Sequence, residues 1–149
     1  MEEQNKTANE ALLDAMYKNV KMGGDSILNI LPKATDKDFR AELTRQMEKF
    51  EGYATKISAI LHKEGESPKE QGVMTKMASK MGMAMNTMLD STTSHLAEMM
   101  IEGATMGVTD MTKLVREYEN SNCSEESLSL AREIISFEED TIERMKEFL

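Results

Sequence analysis

The sequence is poor in several residues on which large classes of proteins depend. Among its 149 residues there are no tryptophans, two prolines, two histidines and one cysteine, and aromatic residues make up 5%. A lone cysteine, Cys123, cannot form an intramolecular disulfide. No nucleophile motif and no glycine-rich phosphate loop can be found. The absences argue against nucleophilic catalysis and nucleotide binding.

Positive charge and long apolar runs are also scarce. Lysine and arginine number 18 against 27 aspartates and glutamates, so the formal charge is −9. Because nucleic-acid binding needs clustered basic residues, we expect no nucleic-acid partner. No apolar run approaches the ~20 residues that span a bilayer, and the first residues lack the pattern of a signal peptide. We therefore expect a protein of the reducing cytoplasm that does not insert into a membrane.

The residues that are abundant favour helix. Alanine, leucine, methionine, glutamate and lysine are frequent, and the hydrophobic and charged fractions are 40% and 30%. These fractions are typical of globular proteins, and the frequent residues are good helix formers. A chain of this length suits one core, so we expect a single domain over residues 1–149.

Capping residues and prolines divide the chain into five predicted helices. Thr7, with Glu10 three residues later, has capping-box spacing, and Ser67 followed by Pro68 marks another helix start. Between such signals, apolar residues recur at spacings of three and four. The predicted helices cover about residues 8–31, 36–63, 68–88, 91–118 and 124–149. The pattern leaves open whether the helix breaks near residue 90 or continues through it.

The connections between these helices predict their arrangement. Short links join the first two long helices and also the last two, whereas a longer connection with an extra methionine-rich helix lies between the pairs. Each pair should form an antiparallel hairpin, and the long connection can cross from one end of the bundle to the other. The sequence therefore predicts an all-α, antiparallel four-helix bundle.

Two stretches give this bundle a family resemblance. They are EMMIEGATMG at residues 98–107 and ISFEEDTIERMKEFL at residues 135–149. With the order of helices, they resemble the ferritin-like superfamily, in particular small bacterial proteins that are related to rubrerythrins in pattern. The resemblance covers roughly residues 8–149. It implies a di-iron centre held by one Glu from each of two helices and a Glu-x-x-His motif from each of the other two.

The ligand set that this resemblance implies is incomplete. Glu102 and Glu138 match two carboxylate positions, but Thr141 stands where Glu-x-x-His needs a histidine, and no histidine follows Glu51 by three residues. A carboxylate site with fewer ligands than the di-iron centre remains as a hypothesis, with iron, manganese or zinc as its ion. Its candidate ligands are Glu51, Glu102, Glu138 and His95. No other cofactor is expected.

Glu138 stands out because it interrupts an apolar stripe on the last predicted helix. An ionised carboxylate in such a position is costly unless it is paired, hydrogen-bonded or bound to a metal. A hydrogen bond or salt bridge to a Lys, Tyr or Thr of a neighbouring helix is the simplest explanation. Metal ligation and catalysis as an acid or base are the other two.

Methionines are concentrated in one segment, VMTKMASKMGMAMNTM at residues 73–88. Their helical spacing favours packing in the core, because methionine fills irregular gaps. A surface for self-association or for a protein partner, and Cu(I) ligation, are the alternatives. The candidate partner-binding residues are Met77, Met81, Met83, Met85 and Met88. We predict a non-catalytic bundle acting by self-association or partner binding, and a metal-binding protein or oxidoreductase is the alternative.

Overall fold

The computed structural model describes residues 6–66 and 90–149, and their regular structure is entirely helical. The four α-helices are α1 (Ala8–Ile30), α2 (Lys37–Lys63), α3 (Thr93–Tyr118) and α4 (Glu125–Lys146). A single 3-10 turn, Leu31–Lys33, joins α1 to α2. The predicted helix over residues 68–88 lies outside the described residues.

Side chains cap the start of each helix. The residue before the first turn accepts a hydrogen bond from the backbone amide three residues later, and these four caps are Thr7, Asp36, Thr92 and Ser124. Each bond satisfies an amide that has no partner within its helix. Asp90 in turn accepts from the amide of Thr92 at 2.9 Å. Because Thr92 is the cap, α3 begins two residues after the predicted start at residue 91.

The helices form two hairpins, α1 with α2 and α3 with α4, which pack against each other mainly through α1 and α3. On the other side of the bundle, α2 and α4 make fewer close contacts. Ion pairs bridge these two helices, including Arg144 to Glu42 at 3.2 Å and Lys56 to Glu133 at 3.6 Å. None of the described helices is long and apolar enough to cross a lipid bilayer.

Aromatic side chains join α1, α2 and α4 at the middle of the bundle. The ring of Phe50 on α2 meets that of Phe137 on α4 edge-on, with 5.1 Å between centroids. On α1, a Cβ added at Gly23 would lie 2.5 Å from Cζ of Phe50. Gly23 therefore allows α1 to pack closely on the Phe50 ring. This contact forms one wall of an interior cavity.

Candidate functional site

A cavity of about 80 Å³ lies in the bundle, and all four helices contribute to its lining. In the same measure, one water needs about 10–15 Å³. Its polar lining residues are Asn19 and Ser26 from α1, Gln46 from α2, Asp110 from α3, and Glu138 and Thr141 from α4. Most of the remaining lining is apolar, and its larger side chains are Met22, Phe50, Met99, Met100 and Met106.

Helical spacing brings these side chains to one place. Gln46 and Phe50 are four residues apart on α2, and Glu138 and Thr141 are three residues apart on α4, so each pair shares one face of its helix. Asp110 is exposed and marks the solvent side of the cavity. The cavity thus has an outer rim and a buried polar end.

Glu138 dominates the polar end, with 3% of its surface exposed. Its carboxyl lies directly against Gly107 on α3, where an added Cβ would collide with Oε1. Burial, and secondarily the negative charge of Asp110, raise the pKa of Glu138 from 4.5 to about 8. The carboxyl is therefore mostly protonated at neutral pH, which reduces the cost of burying it.

Four buried oxygens at lining residues have no hydrogen-bond partner within the described chain. They are Oε2 of Glu138, Oγ1 of Thr141, Oδ1 of Asn19 and Oε1 of Gln46. Buried polar groups are nearly always satisfied in native proteins, so four in one region need an explanation. The salt bridge or hydrogen bond expected as the simplest explanation for Glu138 is not made by Oε2.

The hydroxyl of Thr141 departs from the usual behaviour of helical threonines. Thr44, Thr55, Thr105 and Thr109 each donate to the carbonyl four residues earlier, at 2.8–3.0 Å. Thr141 Oγ1 makes no such bond, although the residue is 2% exposed. Its hydroxyl is therefore available to another group.

The two amide side chains are held so that their oxygens are the unpartnered atoms. Asn19 Nδ2 donates to the carbonyl of Gly107 at 3.5 Å, and Gln46 Nε2 donates to Oε2 of Glu42 at 3.1 Å. A carbonyl and a carboxylate can only accept, so the amide nitrogens face them and the oxygens are left as acceptors. Glu42 is itself fixed by Arg45 Nε at 2.8 Å.

The structure does not bring the four predicted metal ligands together. Glu138 lines the cavity, whereas Glu51 and Glu102 are exposed. His95 lies in the first turn of α3, with Nδ1 3.6 Å from Oε2 of Glu98. Across residues 6–66 and 90–149, no group of three or more His, Cys, Asp or Glu could hold a metal ion.

The reason that Glu102 lies outside the cavity is rotational. Successive residues on a helix are about 100° apart, and the neighbouring Gly103 lines the cavity while Glu102 projects to solvent.

The candidate partner-binding methionines are Met77, Met81, Met83, Met85 and Met88, and all lie outside the described residues.

Three buried polar residues of the cavity were missed by sequence reasoning, namely Asn19, Gln46 and Thr141. Gln46 stands three residues after Leu43 and four before Phe50, both of which are buried. Thr141 likewise stands four residues before the buried Met145. A polar residue at apolar spacing, the signal that identified Glu138, could have found these two.

Comparisons with known proteins agree with the architecture. No family model matches the sequence, and no match was found among the curated proteins. Among solved structures, the chain is similar to a dodecameric thioferritin, the bacterioferritin-related protein from Bacteroides fragilis. The TM-score is 0.71 at 11% identity, over 97% of this chain and 88% of that one. The chain therefore has a ferritin-like four-helix-bundle fold, and the predicted all-α four-helix bundle is confirmed, while the predicted helix of its crossover lies outside the described residues.

The di-iron centre associated with this fold does not fit the residues present. Such a centre takes carboxylates from four helices and two histidines. The described lining offers the carboxyls of Glu138 and the exposed Asp110, and no histidine. Neutral side chains, Asn19 and Gln46, face the cavity from α1 and α2. The donor set is too weakly charged for two iron ions.

Proposed function

We propose that this protein is a non-catalytic, ferritin-like bundle that binds a small molecule in its interior cavity around Glu138. The observation that carries the proposal is the set of four buried, unpartnered oxygens at residues lining one cavity. An unsatisfied buried polar group costs about 1–3 kcal/mol. A ligand that donates hydrogen bonds to these oxygens would recover part of that free energy.

The composition of the lining supports binding rather than catalysis. Ligand sites are typically apolar with a few convergent polar groups, and this cavity has that character. Glu138 could transfer a proton, but the described lining supplies no cysteine, histidine or lysine and no second buried acid or base to work with it. The Ser26 hydroxyl donates to the carbonyl of Met22 at 2.9 Å and is thereby occupied.

Two glycines that lie within helices and have open space around them allow a direct test. A Cβ at Gly103 or at Gly52 would meet nothing within 4 Å, but only Gly103 lines the cavity. Gly103→Leu should fill the cavity, and Gly52→Leu is the control for introducing a leucine at an open helical glycine. Both variants should keep the helical content of the wild type, as measured by circular dichroism.

The measurement is amide chemical shifts of labelled protein during titration with a panel of small cationic, neutral and anionic organic molecules. We expect some members to shift the amides near Glu138 and Gly107 in the wild type and in Gly52→Leu. The same members should have no effect there in Gly103→Leu. A panel without any such member, or shifts that persist in Gly103→Leu, would overturn the proposed function.

Self-association is a second candidate function. Leu28 on α1 and Met106 on α3 are large apolar side chains with 58% and 47% of their surface exposed. The structurally similar thioferritin is a dodecamer, which adds support. Light scattering after size exclusion should give a mass above that of the monomer, and Met106→Glu should lower it. Thr105→Glu, at the neighbouring exposed position, controls for the added charge.

A further inference from the structure

We propose that the interior cavity takes a small organic ammonium ion, that is, a protonated primary amine with a short alkyl chain. The inference rests on the proposed function and adds the chemical class of the ligand. It is argued from the charge of the cavity, from its hydrogen-bonding groups and from its apolar lining.

The charge of the described lining has one sign. Glu138 and Asp110 are acids, and the lining from residues 6–66 and 90–149 contains no Lys, Arg or His. An anionic ligand would therefore meet the negative charge of Asp110 without a compensating cation, and it would also oppose ionisation of Glu138. The formal charge of −9 for the whole chain also attracts cations toward the protein. Electrostatics thus favours a positively charged ligand.

The unpartnered amide oxygens of the cavity need a hydrogen-bond donor. Asn19 Oδ1 and Gln46 Oε1 can only accept, because their amide nitrogens are engaged with Gly107 and Glu42. A primary ammonium offers three N–H donors and no acceptor, which complements such a set. An adjacent cation also favours the ionised carboxylate, so Glu138 would release its proton to solvent when the ligand binds. A charge-assisted hydrogen bond to that carboxylate is among the stronger kinds.

The remainder of the lining favours an organic cation over a metal ion. Phe50, Met22 and Met99 present a ring and thioether chains, which give little to a hard metal ion that must lose its water. The same side chains pack well against an alkyl chain. At about 80 Å³ the cavity has room for a few heavy atoms.

The test is calorimetric titration of the full chain with n-propylammonium chloride and three comparison compounds. n-Propanol has the same chain without the charge, potassium chloride supplies a cation without the chain, and sodium propionate reverses the charge. We expect n-propylammonium to bind at least roughly tenfold more tightly than n-propanol, since charge-assisted hydrogen bonds are the stronger ones. Potassium and propionate should not bind measurably.

Variants identify the site and the role of the carboxylate. Glu138→Gln keeps the shape of the side chain but removes the charge, and we expect it to weaken n-propylammonium binding by roughly tenfold or more. Its effect on n-propanol should be small. Gly103→Leu should abolish binding of n-propylammonium, and Gly52→Leu should leave it unchanged.

The outcomes separate this inference from the proposed function. Binding of n-propanol as tight as that of n-propylammonium, or potassium binding in preference to both, would overturn the ammonium assignment and leave a small-molecule cavity. Equal binding of n-propylammonium to the wild type and to Glu138→Gln would do the same. If these compounds and the whole panel described above fail to bind, the proposed function also falls.

Discussion

The carboxyl group of Glu138 on α4 lies against the backbone of Gly107 on α3, in space that any other residue at position 107 would occupy with its Cβ. The same Gly107 accepts a hydrogen bond from Asn19 through its carbonyl. One residue of α3 therefore sets the position of the buried acid and also the orientation of an amide on α1. This coupling links the polar groups of three helices.

Substitution at Gly107 should displace the acid. Gly107→Ala places a Cβ against Oε1 of Glu138, whereas Gly103→Ala, one turn away, meets nothing within 4 Å. Alanine gains up to about 1 kcal/mol over glycine in a helix, and overpacking costs about 1–3 kcal/mol. The carboxyl is the far end of a flexible side chain and borders the cavity, so it can move aside. We therefore expect Gly107→Ala to be about 1 kcal/mol less stable than Gly103→Ala in urea unfolding, at the lower end of the overpacking range. Equal stability of the two variants would contradict the close packing of Glu138 on α3.

The adjacent glycines of α1 provide a second matched pair. A Cβ at Gly23 would lie within 2.5–2.9 Å of three ring atoms of Phe50, but a Cβ at Gly24 would be 3.7 Å from its nearest neighbour, Sδ of Met47. Because the buried Phe50 ring also packs on Phe137, it has little freedom to move. Gly23→Ala should lower the free energy of unfolding by about 1–3 kcal/mol. Gly24→Ala should be neutral or stabilising, and a reversed order would refute the packing argument.

The buried acid should make stability depend on pH. The pKa of Glu138 is about 8 in the folded protein and near 4.5 when the chain is unfolded, so the folded state binds more protons between these values. The contribution of Glu138 to the free energy of unfolding is at its maximum below about pH 4.5. It declines as the pH rises to about 8, by up to about 1.4 kcal/mol per pH unit. Asp110 is the other titratable group in the described lining, while Asn19 and Gln46 are neutral.

Urea unfolding of Glu138→Gln measures this contribution. The free energy of unfolding of the variant should fall less steeply than that of the wild type between about pH 5 and 8, because its side chain does not titrate. Glu139→Gln, at the neighbouring exposed position, should keep the wild-type slope. Identical slopes for the wild type and Glu138→Gln would show that Glu138 titrates normally in the folded protein.

The sequence predicted the bundle better than the cavity, for a physical reason. Apolar spacing and caps act over many residues, so an error of one residue hardly alters a helix. A site depends on the direction in which each side chain points, and successive residues on a helix point about 100° apart. Glu102 is therefore exposed although the adjacent Gly103 lines the cavity. Glu138 could be identified because a carboxylate is conspicuous on an apolar stripe. Gln46 is harder to identify than Glu138, because the adjacent Met47 also fits apolar spacing and is itself half-buried.

The unpartnered hydroxyl of Thr141 leads to an unusual prediction. Thr141→Val replaces a buried hydroxyl without a protein partner by a methyl group, so the ligand-free protein should be as stable as the wild type or more stable by up to about 1 kcal/mol. Thr105→Val removes a hydroxyl that bonds Ile101 O at 2.8 Å and should give no such gain. Thermal unfolding of the two variants without ligand tests the difference. Destabilisation by Thr141→Val would mean that its hydroxyl is satisfied in the folded protein.

Metal analysis tests the alternative hypothesis, in which a site with few carboxylate ligands binds a metal ion. The purified protein would be exposed to Fe(II), Mn(II), Zn(II) or Cu(I), desalted and analysed for metal beside the Glu102→Ala/Glu138→Ala variant. We expect no stoichiometric iron, manganese or zinc, because the described residues contain no group of three potential ligands. Stoichiometric metal that is lost in the variant would instead support the site of Glu102 and Glu138. Copper retained by both proteins would point to the methionines of residues 73–88, since thioethers prefer Cu(I).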